Sequence, residues 1–554
     1  MQDLPIGISE FTELRETNCL YIDKTKYVYS LLKKNRRTFL ARPRRFGKSL
    51  LVSTLDAALQ GEKELFEGLW IANSDYSFEP KGVIRLDFSQ LSIENIEAFK
   101  QSLFLRLQSI ANSYGITLAE NLNVNSALDV LIETLCPIKN KRAKTKESSA
   151  PIEIPSDEEN ATFKSVAILI DEYDHPILHT LHNTALAIDI RNLMKSFSGV
   201  IKAQAKRVKF VFVTGVSAFS KSGLSSGLNN LTNLTINTQF SGVCGYTDEE
   251  VDFYFKEHME HWAMEREIPY ETLREQLRTW YNGYCFKENT QTIYSPFSFT
   301  SAMEIQELRN FWFESATPQF LLDELAKAER QEECNFLNLD DLEGNVSLLQ
   351  TFEIECIPLT ALLFQMGYLT IKSYNALTRF YQLKYPNLEV KTALHCHLLT
   401  ALAKTSLSAL NSIMSKLFSS LLEENMEQFI HCLMSVFSNI PYQLHGKEKH
   451  AEHFYHAILQ ALFIASGIKS QAEYSTSQGR ADIIVELPKL IYIIEVKVNK
   501  KPEEGLQQIE TQQYYQPFLH LGKPVRAIGL SFHRRKESEK EKSHFSITHV
   551  TKKL

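Results

Sequence analysis

Four short apolar runs, each ending in polar residues, organise the first half of the chain: Thr38–Ala41, Gly82–Ser89, Val166–Ile170 and Val208–Thr214. Runs this short fit strands of a parallel sheet buried on both faces, Val166–Ile170, which is apolar throughout, most of all. Helical spacing of apolar positions fills the intervals, at Leu50–Leu59, Leu103–Ile110 and Leu128–Leu135, after an earlier helix through Tyr27, Val28, Leu31 and Leu32. The alternation predicts an α/β fold with a mostly parallel sheet, in which ligands gather at the carboxyl ends of the strands. Beyond Tyr246 the pattern turns helical and aromatic. The segment Leu362–Tyr374, with a strand and turn at Tyr381–Leu388, predicts a small winged-helix-like unit. Leu410, Ile413, Leu417 and Leu421 then predict a helical connector reaching to about 440. A β pattern returns at Ala481–Val485 and Ile491–Lys497, with Pro488 as a turn residue between them. Residues 137–164 break every period. They are rich in Lys, Glu, Ser and Pro, and predict a disordered surface insertion at about 138–164.

Composition narrows the class. The chain has 554 residues, 44% hydrophobic and 23% charged, which is ordinary globular usage for roughly three to four domains of about 150 residues. No N-terminal signal pattern is present, and no apolar stretch reaches the ~18 residues that span a bilayer, so a cytoplasmic protein with no membrane partner is expected. The eight cysteines form no Cys-x-x-Cys pair, which argues against zinc and disulfide frameworks. A net charge of −6 gives no global reason for nucleic-acid binding. From Lys489 onward, however, 13 Lys and Arg stand against 7 Asp and Glu. That local excess suits a phosphate backbone, and equally suits a solvated tail around Arg534–Lys536.

Two sets of residues carry chemistry. The first begins with Arg42-Pro-Arg-Arg45-Phe46-Gly47-Lys48-Ser49 after a strand. In a phosphate loop, backbone N–H groups wrap the phosphates, the lysine reaches the β and γ oxygens, and the hydroxyl ligates Mg²⁺. Val166–Ile170 ends in Asp171-Glu172, where a second metal carboxylate and a base for water belong. ATP and Mg²⁺ are thus expected at Arg45, Phe46, Gly47, Lys48, Ser49 and Asp171, with Glu172 polarising water. Thr214 or Ser217, at the next strand tip, would sense the γ-phosphate; Thr214 could equally satisfy a strand end. Asp174-His175 could pair as acid and base, though a turn after the strand explains it more cheaply. Asn229-Asn230 is expected on a loop facing the same crevice, with turn chemistry as the alternative. Trp280–Tyr284 could present aromatic faces to a base, though core packing around a glycine turn is the commoner explanation.

The second set is Asp482, Glu495 and Lys497. Residues two apart on a strand share a face, so Glu495 and Lys497 project together and a hairpin lays Asp482 beside them. Two carboxylates for Mg²⁺ (or Mn²⁺) and a lysine to position water are the minimum for metal-assisted phosphodiester hydrolysis. Glu452, opening an amphipathic helix, can approach the same metal, and Gln508 could orient the site or touch DNA. A solvated Glu-Lys strand face is the competing explanation, against which stands the apolar run that these charges interrupt.

Taken together, the motifs resemble a bacterial family that joins an N-terminal AAA-ATPase-like domain to a C-terminal nuclease domain of the PD-(D/E)xK, restriction-endonuclease-like superfamily. The resemblance is carried by Leu4–Ile8, Tyr21–Thr25, Arg42–Ser49, Leu169–Asp174, Val213–Ser217 with Phe219–Lys221, Trp280–Tyr284, Pro296–Ser298 and the terminal Asp482, Glu495, Lys497 set. It implies a P-loop domain at 1–250, a helical lid or winged-helix-like region at 251–390, a helical linker at 391–440 and a nuclease-like α/β domain at 441–554. It also implies that Arg-Pro-Arg-Arg is the habitual loop of the family, although Arg42 stands where a standard loop has glycine. Arg42, Arg44 and Arg45 then either supply charge to phosphates or clasp acidic neighbours such as Asp174. The expected function is an ATP-regulated nuclease acting on nucleic acid, DNA ahead of RNA. The alternative is a nucleotide switch whose terminal domain only binds nucleic acid or protein. A homo-oligomer is left open.

Overall fold

The structure is a computed structural model, and it describes residues 1–34, 37–137, 163–217, 231–312, 339–340, 342–345, 358–440, 451–533 and 545–554. The expected insertion at 138–164 therefore lies almost wholly outside the described residues, as do Phe219–Lys221, Asn229-Asn230 and Arg534–Lys536. The chain divides into two compact units, 1–312 with 341–387, and 313–340 with 388–554.

The first unit is built on a parallel sheet of β1 (Arg37–Ala41), β2 (Gly82–Asp87), β3 (Val166–Asp171), β4 (Val208–Gly215) and β5 (Thr232–Asn233). Its strand order is β2-β3-β4-β1-β5, so β4 separates the strand that feeds the phosphate loop from the strand that ends in Asp171. All six residues of β3 are buried, which is why its sequence is apolar up to its last residue. This is the P-loop NTPase arrangement. Helix α1 (Lys48–Gln60) leaves the loop with Gly47 at φ 80° as its N-cap. A smaller sheet of β6 (Glu343–Asn345), β7 (Thr370–Asn375) and β8 (Phe380–Lys384) is antiparallel, in the order β6-β8-β7, and follows the helix Leu359–Gln365.

The second unit carries a mixed sheet of β9 (Lys469–Thr476), β10 (Gly479–Glu486), β11 (Ile491–Val498), β12 (Val525–His533) and β13 (Ser546–Lys553). The order is β13-β12-β11-β10-β9; only the β11–β12 pair is parallel. Its two faces are covered differently. Ile483, Val485, Tyr492, Ile494 and Val496 pack on helices that include Leu407–Leu422, Met426–Phe437 and α2 (Ala451–Ala465). Ile484, Ile491 and Ile493 pack on the other side with Ile509 of α3 (Pro502–Thr511). The helices expected as a linker at 391–440 pack in the same core as the terminal sheet and fall in the same unit, whose second segment runs from Leu388. Apolar periodicity marks a buried helical face without saying what buries it. Among the described residues no helix is long and apolar enough to cross a membrane.

Candidate functional sites

At the carboxyl edge of the parallel sheet lies a cavity of about 420 Å³, within the range of small-ligand sites. Arg44, Arg45, Gly47, Lys48 and Ser49 line it from the loop, and Glu172 and His175 from the segment after β3. Lys48 is buried, its Nζ donating to the Pro43 carbonyl at 3.0 Å and lying 3.7 Å from Glu172 Oε1. The amine is thereby held at the cavity wall while keeping hydrogen-bonding capacity. Asp171 is also buried, and burial raises its carboxyl to about 6, against the opposing pull of the Ser49 hydroxyl and Lys48. Such a group binds a cation most strongly once it has lost its proton.

Glu172 follows in the left-handed region at φ 49°, a conformation that turns the chain sharply at the strand end. Its neighbour Asp174 is wholly buried and accepts from the N–H groups of Val216 and Ser217 and from the Ser217 hydroxyl. A Cβ at Gly215 would stand 2.2 Å from Asp174 Oδ1, so this strand tip requires glycine.

The three loop arginines separate here. Arg42 is 1% exposed, donates to the carbonyls of Ala41, Thr235 and Phe240, and stacks 4.2 Å from the Phe286 ring centre. Three of its five N–H donors go to those carbonyls, its Nε is buried without a hydrogen-bond partner among the described residues, and it does not line the cavity. The positive backbone angle falls on Arg45 (φ 64°), not on Arg42. The Phe46 side chain is buried edge-on against Tyr284 and Phe286, so only its backbone can serve the loop. The Thr214 hydroxyl is buried and donates to the Leu40 carbonyl at 2.9 Å; it is a strand-end contact and does not line the cavity. Ser217 is likewise occupied by Asp174.

Sequence reasoning did not reach the other walls. Pro5–Ser9, Asp87, Ser89, Tyr246 and Phe297 all face this cavity. Asp87 could have been found, since β2 ends on it as β3 ends on Asp171, and the two are register partners. Pro5–Ile8 and Phe297 lie in motifs that carry the family resemblance without being assigned a role by it, and Ser9, Ser89 and Tyr246 carry no local signal. A smaller apolar recess of about 70 Å³ shares Gly47, Leu50 and Tyr246 with the cavity and is walled by Tyr21, Ile22 and Val243.

In the second unit, the β10–β11 hairpin brings Asp482, Glu495 and Lys497 together. The Asp482 N–H donates to Glu495 Oε1 at 3.1 Å, and Asp482 Oδ2 accepts from the Val496 N–H at 2.8 Å. Lys497 Nζ is 3.2 Å from Glu495 Oε2 and 3.6 Å from Glu452 Oε1. Ile491 and Ile493 precede Glu495 on one strand face, which turns from core to charge within a single step. Glu495 is fully buried; burial first, and the Asp482 carboxylate second, push its carboxyl well above the usual range. Lys497 is held charged by Glu495 and Asp482 against burial. His456 Nε2 donates to the Asp482 carbonyl at 2.7 Å and fixes the strand there. A Cβ at Gly505 of α3 would approach Glu495 Cβ to 3.1 Å, so that helix lies directly on the site.

Glu452, in the first turn of α2, reaches Lys497 and remains half exposed. The Gln508 amide donates to the Tyr514 hydroxyl at 3.3 Å rather than to a site side chain. Several positive charges of the segment are spent internally: Arg526 on Glu424, Lys523 on Glu486 and Lys552 on Glu510.

Among the described residues, no three His, Cys, Asp or Glu side chains are gathered tightly enough to cage a metal ion. Mg²⁺ does not need such a cage, since it commonly keeps several waters and takes one or two carboxylates. The Asp482 and Glu495 carboxyls, held side by side by the N–H groups of Asp482 and Val496, fit that donor set.

Residues 5–225 match the family model described as a predicted AAA-ATPase, and residues 450–542 match that of the PD-(D/E)XK nuclease superfamily. The chain is 32% identical over 544 residues to an uncharacterized protein in the vnfD 5′ region of Azotobacter chroococcum mcd 1, covering 97% of each. No solved structure matches.

Proposed function

Since the chain belongs to the same family as the Azotobacter protein, one that joins an AAA-ATPase-like domain to a PD-(D/E)XK nuclease-superfamily domain, we propose that it is an ATP-hydrolysing, nucleotide-regulated nuclease. The observation that carries the nuclease half is the convergence of Asp482, Glu495 and Lys497 on one strand face.

In the first unit, Lys48 would neutralise the β- and γ-phosphates and the amides of residues 45–48 would wrap them. Ser49 and Asp171 would hold Mg²⁺, which when bound would neutralise charge on the phosphate oxygens. Glu172 would orient the attacking water. The apolar recess beside Gly47 suits a nucleobase.

In the second unit, Asp482 and Glu495 would hold Mg²⁺ or Mn²⁺, which when bound would polarise a scissile phosphate. Lys497, charged and fixed 3.2 Å from Glu495, would position the water for in-line attack on nucleic acid, with DNA the favoured substrate. Cleavage of plasmid DNA by wild type, Lys48→Ala and Lys497→Ala, with and without ATP, tests both halves. Cutting abolished by Lys497→Ala and altered by Lys48→Ala supports the proposal. Tight nucleotide binding with no cutting of DNA or RNA in Mg²⁺ or Mn²⁺ would favour the non-catalytic switch.

A further inference from the structure

The three arginines of the phosphate loop are held in three different ways: Arg44 and Arg45 both line the cavity, but Arg45 lies over an aromatic ring and, among the described residues, Arg44 does not. Arg42 donates to the carbonyls of Ala41, Thr235 and Phe240. The Arg45 guanidinium lies 4.5 Å from the Phe297 ring centre. Arg44 lines the cavity beside Lys48, Glu172 and His175, and its guanidinium makes no ion pair among the described residues, although carboxylates line the same cavity.

The backbone at Arg44 is clamped from several sides. Its carbonyl accepts from Trp312 Nε1 at 3.2 Å. Pro43, before it, fixes one dihedral and packs so closely on Gly367 that a Cβ there would come within 2.7 Å. Arg45, after it, is left-handed. These contacts fix the point from which the Arg44 side chain leaves the backbone, beside Lys48 at the cavity wall. The His175 ring is pushed down to about 4, by burial first, then by His179, with Arg44 also contributing. It is therefore neutral at pH 7 and does not compete with Arg44 for an anion.

We propose that Arg44 is the catalytic arginine of the nucleotide site and acts in cis, so that one chain carries every charge needed for γ-phosphoryl transfer. This rests on the ATPase function proposed above. In the step, the water oxygen forms a bond to the γ-phosphorus and the bond to the β–γ bridging oxygen breaks. The water proton leaves through Glu172 to solvent, giving ADP and inorganic phosphate. Arg44 offsets the negative charge on the non-bridging oxygens as that bond breaks, the task an arginine finger from another subunit performs elsewhere.

The full-length chain is titrated with ADP alone and with ADP plus aluminium fluoride, as wild type, Arg44→Ala and Arg44→Lys, and turnover is measured across a hundredfold dilution. The expected result is ADP affinity within threefold for all three proteins. Affinity for the fluoride complex should fall at least a hundredfold in Arg44→Ala, turnover about 10³-fold, and Arg44→Lys should recover part of both. Wild-type turnover per chain should be unchanged on dilution, and mixtures of Arg44→Ala with Lys48→Ala should stay inactive. Equal fluoride-complex affinity in wild type and Arg44→Ala, or activity restored by mixing, overturns the cis arginine alone. Failure of wild type to bind ADP overturns the nucleotide site and the arginine with it.

Discussion

Asp482 and Glu495 face each other across the β10–β11 hairpin, and each side chain accepts an N–H from the other's strand: Glu495 Oε1 from Asp482 and Asp482 Oδ2 from Val496. These reciprocal bonds hold two carboxyls side by side, in a place where mutual repulsion and burial oppose the ionisation of Glu495. A proton kept on Glu495 relieves that repulsion, and so does a nearby cation, which Lys497 supplies at 3.2 Å.

Metal affinity should therefore depend on pH. The Glu495 carboxyl in the free protein is raised, so it holds a proton at pH values where a solvated carboxylate has lost it. Cation binding must expel that proton, so affinity grows as pH rises through neutrality. Calorimetry with Mn²⁺ in two buffers of different ionisation heat should show proton release at pH 7. The dissociation constant should be about tenfold or more weaker at pH 6 than at pH 8. In Glu495→Gln both the binding and the proton release should vanish. Binding independent of pH would contradict the assignment.

In the nucleotide site, Glu172→Gln should separate binding from chemistry. The side chain lies at the cavity wall 3.7 Å from Lys48 and makes no core contact that the amide could not replace. ATP affinity should stay within about threefold while turnover falls by about 10²–10⁴-fold, the usual worth of a positioned base. Equilibrium binding of a fluorescent ATP analogue beside phosphate release checks it. Unchanged turnover would remove Glu172 from the reaction.

Two substitutions should act on stability rather than on phosphates. Arg42→Ala strands the carbonyls of Thr235 and Phe240 in the interior and removes the stack on Phe286. Gly215→Ala drives a methyl into Asp174 Oδ1. Each should cost about 2–4 kcal/mol, read as a lower urea midpoint. A normal midpoint in Arg42→Ala with weakened ATP binding would instead make that arginine a phosphate ligand.

Much of the scaffold was legible because its signals are local. β1, β2 and β4 begin or end within a residue or two of the apolar runs at Thr38–Ala41, Gly82–Ser89 and Val208–Thr214. Asp171-Glu172 closes the one strand whose every residue is apolar up to that point. Likewise, Glu495 and Lys497 stand out because charge on an apolar strand is costly without a partner. Legibility fails where partners are distant in sequence. Nothing near Arg42 says that Thr235 and Phe240 will take its donors, and nothing near Thr214 says that the Leu40 carbonyl will take its hydroxyl. The helices at 391–440 read as a linker in the sequence because periodicity reports an apolar face but not the sheet it meets.

The central claim is that one polypeptide holds a nucleotide-hydrolysing site and a metal-dependent phosphodiesterase site under nucleotide control. Its most direct test follows supercoiled plasmid over time with Mg²⁺ or Mn²⁺, comparing wild type with Lys497→Ala and Lys48→Ala in the presence and absence of ATP. Nicking or linearisation by wild type, at least a hundredfold slower in Lys497→Ala and no longer responsive to ATP in Lys48→Ala, is the predicted result. Equal cleavage by wild type and Lys497→Ala, or an ATP response that survives in Lys48→Ala, would contradict it.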